Sequence, residues 1–320
     1  MTATVMELGP RDGLQNEPVH VGLADRLAFV RALVAAGLTR IEAGAFVHPA
    51  RVPQMAGSDA LCAALTTDPA LAAADVRISA LVPNLRGLER ARAAGVREVA
   101  VFPAASETFS RRNLDMSVDE ALASAGQVCR AAIAEGMRVR GYVSTAFGCP
   151  YEGPVAVRAV VRVCESLLAE GAFEIAISDT IGVAHPGQVR TFLRDTATVL
   201  PTSRLALHFH DTRGTALANV LAALDEGITT FDACAGGLGG CPFAPGALGN
   251  LATEDLIYLL HGLGLAREID LDAVVAASAL IEPAVEHVLP SRYYRAARAT
   301  QARAAATAAA APPLPHGSPQ

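Results

Sequence analysis

Short apolar runs rich in β-branched and small residues recur along the chain at residues 5–9, 40–46, 77–82, 98–102, 138–144, 173–179, 205–211 and 229–235. Each is a strand candidate. Between them lie amphipathic stretches, among them 23–36, 118–135, 156–170 and 216–226, with apolar residues at helical spacing. Glycine follows the last helical turn at Ala36-Gly37, Ala94-Gly95, Glu135-Gly136, Glu170-Gly171 and Glu226-Gly227, the usual stop signal of a helix. Eight strand–helix units of roughly thirty residues each, within roughly 260 residues in all, predict an α/β chain folded as a (β/α)8 TIM barrel. An open doubly wound sheet is the competing architecture. It would carry a Gly-rich dinucleotide loop after its first strand, and Gly9-Pro-Arg-Asp-Gly13 is not one, so no NAD-type cofactor is expected.

The barrel is expected to occupy residues 1–265. Residues 271–289 read as one or two further helices packed on it, within a short C-terminal helical extension over 266–296. From about Ala297 the chain becomes Ala/Pro/Ser-rich and loses its large apolar residues, so 297–320 is expected to be a disordered tail. In a barrel of this kind the reactive groups sit at the carboxyl ends of the strands. Polar residues stand where that rule wants them: Arg11 and Asp12 after the first strand, Glu42 within the second, Asp179 ending the sixth, and His208 and His210 in the seventh.

Composition narrows the chemistry. The chain has 320 residues, 52% hydrophobic and 18% charged, enough apolar content to bury a large core. All 26 basic residues are arginine. Without a lysine amine there is no protein Schiff base, which excludes pyridoxal-phosphate chemistry and imine-forming aldolases. The same absence excludes a P-loop with its phosphate-binding lysine. The net charge of −6, with no basic stripe, argues against a nucleic-acid partner. No charge-free apolar run reaches a membrane-spanning length. The opening Met1-Thr-Ala-Thr-Val enters a strand-like segment directly, with no pattern of a signal or transit peptide. Six cysteines are scattered without CxxC pairs, so the expected setting is a reducing cytoplasm with free thiols.

Leu207-His208-Phe209-His210-Asp211 is the strongest local signal. Residues two apart in a strand point the same way, so both imidazoles project into the barrel mouth and can give two nitrogen ligands to a divalent metal. Two histidines satisfied by ordinary hydrogen bonds is the alternative. Asp12 comes beside the seventh and eighth strands once the barrel closes, and nitrogen plus carboxylate and amide oxygens suit Mg²⁺ or Mn²⁺. Arg11 cannot serve as a base, but it can hold a developing enolate oxygen by charge-assisted hydrogen bonds. Gly236-Gly-Leu-Gly-Gly-Cys-Pro-Phe-Ala-Pro-Gly246 reads as a lid that carries the Cys241 thiol over a bound substrate, or as a surface loop with an incidental cysteine.

Together these motifs resemble the hydroxymethylglutaryl-CoA (HMG-CoA) lyase family, within a barrel superfamily that also holds isopropylmalate and homocitrate synthases. The resemblance runs to about residue 265. It is carried by Gly9-Pro-Arg-Asp-Gly-Leu-Gln-Asn-Glu17, Ile41-Glu42, Val52-Pro-Gln-Met-Ala56, Ser106-Glu-Thr-Phe-Ser-Arg-Arg-Asn113, Gly148-Cys-Pro-Tyr-Glu-Gly153 and Ser178-Asp-Thr-Ile-Gly182. It continues through His208-Phe-His-Asp-Thr212, Gly239-Gly-Cys-Pro242 and Gly249-Asn-Leu-Ala-Thr-Glu-Asp255. It implies that Asp12, His208, His210 and Asn250 hold a divalent cation. Arg11 would bind the thioester carbonyl of an acyl-CoA substrate, with Gln15 as a further substrate contact. Asp179 and Glu42 would lie near the substrate hydroxyl, and Cys241 would take part in proton transfer. The implied reaction is a retro-Claisen cleavage, and the superfamily implies a homo-oligomer, expected to be a dimer.

The chain departs from the family pattern at Ser178, Arg213, Leu248 and Ala235-Gly236. Arg213 is a candidate extra cation for the substrate carboxylate or the CoA phosphates, which bears on the acyl group more than on the reaction. Citramalyl-CoA and an isohexenyl homologue are therefore alternative substrates. A Claisen synthase acting on a 2-oxo acid and a non-catalytic barrel that binds a CoA ester or a partner protein are the other readings.

Overall fold

The structure, a computed structural model, describes residues 2–239 and 249–310. Strands β1 (Thr4–Glu7), β2 (Arg40–Ala45), β3 (Arg77–Leu81), β4 (Glu98–Val101), β5 (Arg138–Val143), β6 (Glu174–Asp179), β7 (Leu205–Phe209) and β8 (Thr230–Ala233) pair in sequence order into a closed parallel barrel. Closure is between β8 and β1, with Thr4 opposite Thr230 and Glu7 opposite Ala233. Around it run α1 (Leu23–Ala35), α2 (Ser58–Thr66), α3 (Pro69–Ala73), α4 (Leu85–Ala93), α5 (Glu107–Leu114), α6 (Val118–Ala134), α7 (Val157–Ala169), α8 (Pro186–Thr196), α9 (Ala216–Asp225) and α10 (Thr253–Gly262). The predicted strands are all present, and all but the sixth, which ends at Asp179 as predicted, stop one or two residues before the apolar run does. Residues just past these ends, such as Val82, Phe102, Ser144 and His210, face the cavity at the mouth instead.

The strand residues are buried on both faces, but the interior is not wholly apolar. In its middle Arg140 of β5 donates from Nε to Glu174 (2.7 Å) and through both terminal nitrogens to Asp232 (2.7 and 3.0 Å). Arg40 of β2 completes the cluster with two bonds to Glu174 (2.8 and 3.1 Å). These guanidiniums are tolerated inside because each is met by carboxylates at hydrogen-bond distance.

The glycine stops behave as predicted: Gly37, Gly95, Gly136, Gly171 and Gly227 all have positive φ. They are not equally demanding. A Cβ on Gly37 (φ +97°) would lie 2.7 Å from the Glu268 carbonyl oxygen, whereas one on Gly136 (φ +74°) would meet nothing within 4 Å. Gly136→Ala should therefore cost only the left-handed backbone penalty, about 1–2 kcal/mol. Gly37→Ala should cost more, because backbone must also move, and the two melting temperatures measured side by side should show that order.

Beyond the barrel, α11 (Leu271–Val285) enters beside the end of α1, where Asp270 N–H donates to the Ala36 carbonyl (2.8 Å). The last helix, α12 (Arg292–Ala310), runs through the first part of the stretch expected to be a disordered tail, and residues 311–320 lie outside the described residues. Its first turn packs Tyr294 into the core and Tyr293 against it, and past Ala297 the Ala- and Arg-rich sequence has high intrinsic helix propensity without large apolar side chains. Asp255 anchors its start, accepting from the amides of Tyr293 (2.7 Å) and Arg292 (3.2 Å). Among the described residues no helix is long and apolar enough to cross a membrane.

Candidate active site

After β1 the chain makes one wide helical turn, Gly9–Gly13. Glu7 fixes it from below, accepting from the amides of Gly9 (2.7 Å) and Ala235 (2.9 Å) and from the Thr253 hydroxyl (2.6 Å). Burial pushes the Glu7 carboxyl up to about 7 against those three bonds. The turn delivers Arg11 and Asp12 to the mouth of the barrel. The Arg11 guanidinium donates from Nε to Glu42 and from a terminal nitrogen to Asp12 (2.5 Å), and it lies over the Tyr142 ring, 5.6 Å from the centroid. Burial works against its charge, but Asp12, Glu42 and Tyr142 outweigh burial and raise its pKa further. It is a fixed cation.

Asp12 meets both histidines. One ligand atom from each of Asp12, His208 and His210 lies within 4.8 Å of the others, although β8 stands between β1 and β7 in the barrel. Burial would raise the Asp12 pKa, but Arg11, His208 and His210 bring it below the usual carboxylate range. Burial, with His208 adding to it, pushes His210 down to about 3 despite Asp12. The aspartate is thus ionised and the His210 imidazole neutral, the forms that donate lone pairs. Asn250 is opposite His210 through a backbone bridge; its Nδ2 donates to the Leu238 carbonyl (3.1 Å). Buried Asn250 Oδ1 and His210 Nδ1 have no hydrogen-bond partner among the described residues. Two imidazoles, a carboxylate and an unpartnered amide oxygen fit a divalent cation of the Mg²⁺ or Mn²⁺ kind.

The cavity beside this group has a volume of about 890 Å³. Arg11, Asp12, Gln15, His208 and His210 line one part of it; Leu81, Val101, Phe102, Leu114 and Met116 make an apolar wall, and Arg51 and Arg112 bring cations to its lining. Three expected site residues sit elsewhere. Glu42 is fully buried outside the lining, taken up by Arg11 and by the Tyr142 hydroxyl (3.2 Å). Asp179 is also fully buried, its two oxygens accepting from the amides of Val183 (2.9 Å) and Ala184 (3.0 Å). It shapes the loop that brings Thr180 to the cavity. Burial raises its pKa against those amides and the charges of His208 and Arg213. Arg213 is exposed and donates to the carbonyls of Ile181 (2.8 Å) and Gly182 (2.9 Å), away from the cavity lining. Cys241 and Leu248 lie outside the described residues.

The C-terminal extension reaches the site twice from behind. Arg292 donates to Asp211, next to His210, at 2.5 Å. His287 pairs with Glu17, two residues past Gln15, at 2.6 Å.

One residue that sequence reasoning missed stands directly behind the histidines. Asp232 of β8 is opposite His208 in the strand register, with Oδ2 3.4 Å from His208 Nδ1. The signal was present: an aspartate in the middle of an apolar strand, two residues from Thr230 on the same face, needs a buried cation or a polar partner.

The family model described as HMGL-like matches residues 3–281 of this chain. The hydroxymethylglutaryl-CoA lyase of Pseudomonas mevalonii is 49% identical over 299 residues, which cover 93% of this chain and 98% of that protein. A Pseudomonas aeruginosa protein named 3-hydroxy-3-isohexenylglutaryl-CoA/hydroxymethylglutaryl-CoA lyase is 48% identical, over 85% of this chain and 89% of its own. Among solved structures, the Bacillus subtilis HMG-CoA lyase superposes with a TM-score of 0.89 at 43% identity, over 93% of this chain and 98% of that one.

Proposed function

The chain belongs to the HMGL-like family, and from that membership we propose that it is a carbon–carbon lyase cleaving 3-hydroxy-3-methylglutaryl-CoA to acetoacetate and acetyl-CoA. The observation that carries this reading is the Asp12–His208–His210 group at the mouth of the barrel with the Arg11 guanidinium hydrogen-bonded to Asp12. Asp12, His208, His210 and Asn250 would hold a divalent cation, Mg²⁺ or Mn²⁺. When bound, the cation lowers the pKa of the substrate's 3-hydroxyl.

The chain's own residues do the rest. A base takes the hydroxyl proton, the C3 oxygen becomes the ketone of acetoacetate as the C2–C3 bond breaks, and that bond's electron pair passes into the thioester as an enolate. Arg11 places charge-assisted N–H donors on that oxygen, in a buried setting where such bonds count for more than in water. Glu42 and Asp12 hold the guanidinium in place. The enolate then takes a proton at C2 to become acetyl-CoA, and Cys241 is the thiol expected to take part in that transfer. The cytoplasmic setting rests on the scattered cysteines, and the homodimer on the superfamily resemblance.

A longer 3-substituent is a second reading, supported by the apolar wall of Leu81, Val101, Phe102, Leu114 and Met116 and by the isohexenyl activity in the name of the 48%-identical relative. Mass spectrometry of the products from a small panel of 3-hydroxy-3-alkylglutaryl-CoA esters, with Mg²⁺ present, tests both. Acetoacetate and acetyl-CoA from the methyl ester are expected. Preference for the isohexenyl ester would favour the second reading, and no cleavage of any ester would end both.

A further inference from the structure

We propose that Asp232 is the positioning residue of the metal centre, fixing the ring and the tautomer of His208. The inference rests on the reading of Asp12, His208 and His210 as cation ligands. The two ring nitrogens of His208 face opposite ways. Nδ1 is 3.4 Å from Asp232 Oδ2, while Nε2 is 3.9 Å from Asp12 Oδ2, on the side where a cation would sit. An imidazole with a carboxylate at one nitrogen carries its proton there, which leaves the other nitrogen's lone pair free and aimed.

Asp232 is itself held rigidly. Arg140 grips both of its oxygens, at 2.7 and 3.0 Å, and Arg140 is in turn tied to Glu174 at 2.7 Å. Asp232 is 1% exposed and Arg140 1%, so neither side chain has room or solvent in which to swing. Arg140, gripping both oxygens of Asp232, therefore fixes that carboxylate against one ligand from the barrel interior. Neither ring's Nδ1 makes a hydrogen bond of ordinary geometry among the described residues, but at His208 the Asp232 carboxylate oxygen stands 3.4 Å away. Of the two imidazoles, His208 is the one with a rigidly held carboxylate beside its Nδ1.

The decisive substitution is Asp232→Asn. A carboxylate accepts at both oxygens, whereas the amide has one acceptor, which can serve Arg140 or His208 but must present N–H₂ to the other. Arg140 keeps Glu174, so no buried charge is stranded. Titration of the metal-free full-length protein with Mn²⁺, read by electron paramagnetic resonance and calorimetry, should show affinity weakened by about 10–100-fold. Glu174→Gln serves as the comparison. It removes charge from the same cluster without touching the Asp232–His208 contact, and it should lower the melting temperature while leaving Mn²⁺ affinity unchanged. Equal losses of Mn²⁺ affinity in the two variants, or none in Asp232→Asn, would overturn the proposal.

A measurement on the wild-type protein stands independently of how the variants fold. Nitrogen-15 spectra of the metal-free enzyme, with the His208 signals assigned by their loss in His208→Asn, should show the proton on Nδ1 and a bare Nε2. A proton on Nε2 overturns the proposal. Mn²⁺ binding and the tautomer are read without turnover, so a wild-type protein that binds Mn²⁺ yet cleaves no ester would refute the lyase reading alone.

Discussion

Arg11→Met should lower kcat on 3-hydroxy-3-methylglutaryl-CoA by about 100- to 1,000-fold, the usual loss when a buried donor to a developing oxyanion is removed. The reason lies in what the guanidinium touches. Glu42 and Asp12 hold it from behind and beside, and it reaches the cavity as a cation whose charge no accessible pH removes. Methionine keeps most of the side-chain length and none of the donors. The bond-breaking step then has nowhere to put its electrons, and this loss belongs to the transition state rather than to binding, so it falls on kcat. A second readout isolates the same group. Exchange of the acetyl-CoA methyl protons with deuterated solvent, followed by nuclear magnetic resonance, needs the enolate but not the bond cleavage, and it should slow in parallel. Normal exchange in Arg11→Met would show that another group holds the enolate oxygen. Arg11→Lys should recover only part of the rate, because an ammonium cannot span Glu42 and Asp12 as the planar fork does.

Removal of the divalent cation is the other change expected to be severe. Protein stripped with a chelator should cleave at no measurable rate, and Mg²⁺ or Mn²⁺ should restore it. The polarising contribution of a bound cation is several kcal/mol, which corresponds to about 1,000-fold or more in rate. His210→Ala should show the same loss with intact protein, since it deletes one of two imidazole donors from the Asp12–His208–His210 group. Calorimetric titration separates the causes: weakened Mn²⁺ binding together with lost turnover places His210 among the ligands. Full activity in the presence of excess chelator would sink the metal-dependent mechanism.

Much of this was visible in the sequence, for local reasons. The strands announce themselves as apolar runs, and the helices end in glycines that the structure puts at positive φ, so the barrel follows from periodicity and stop signals. His208 and His210 were legible because a two-residue spacing in a strand fixes their common side. Asn250 came from the resemblance to a known family rather than from spacing. What sequence could not show is how strand-end charges are partnered. Asp179 ends its strand and Glu42 lies within its own, yet Glu42 is taken up by Arg11 and Asp179 by two backbone amides, contacts that exist only once the barrel closes. Arg140 and Asp232 are 92 residues apart, and nothing local pairs them. The last helix was hidden for another reason: a stretch without large apolar side chains gives no amphipathic signal, although alanine favours the helical backbone.

The contacts of Arg292 with Asp211 and of His287 with Glu17 bear on where the enzyme ends. A chain stopped at residue 285 would keep every strand, both imidazoles and the arginine. It would lose the two side chains that brace the His210 strand end and the Gln15 turn from outside the barrel. A chain cut at residue 285 is therefore expected to lose activity, and a fusion partner or affinity tag is better joined past residue 310 than at the barrel's edge.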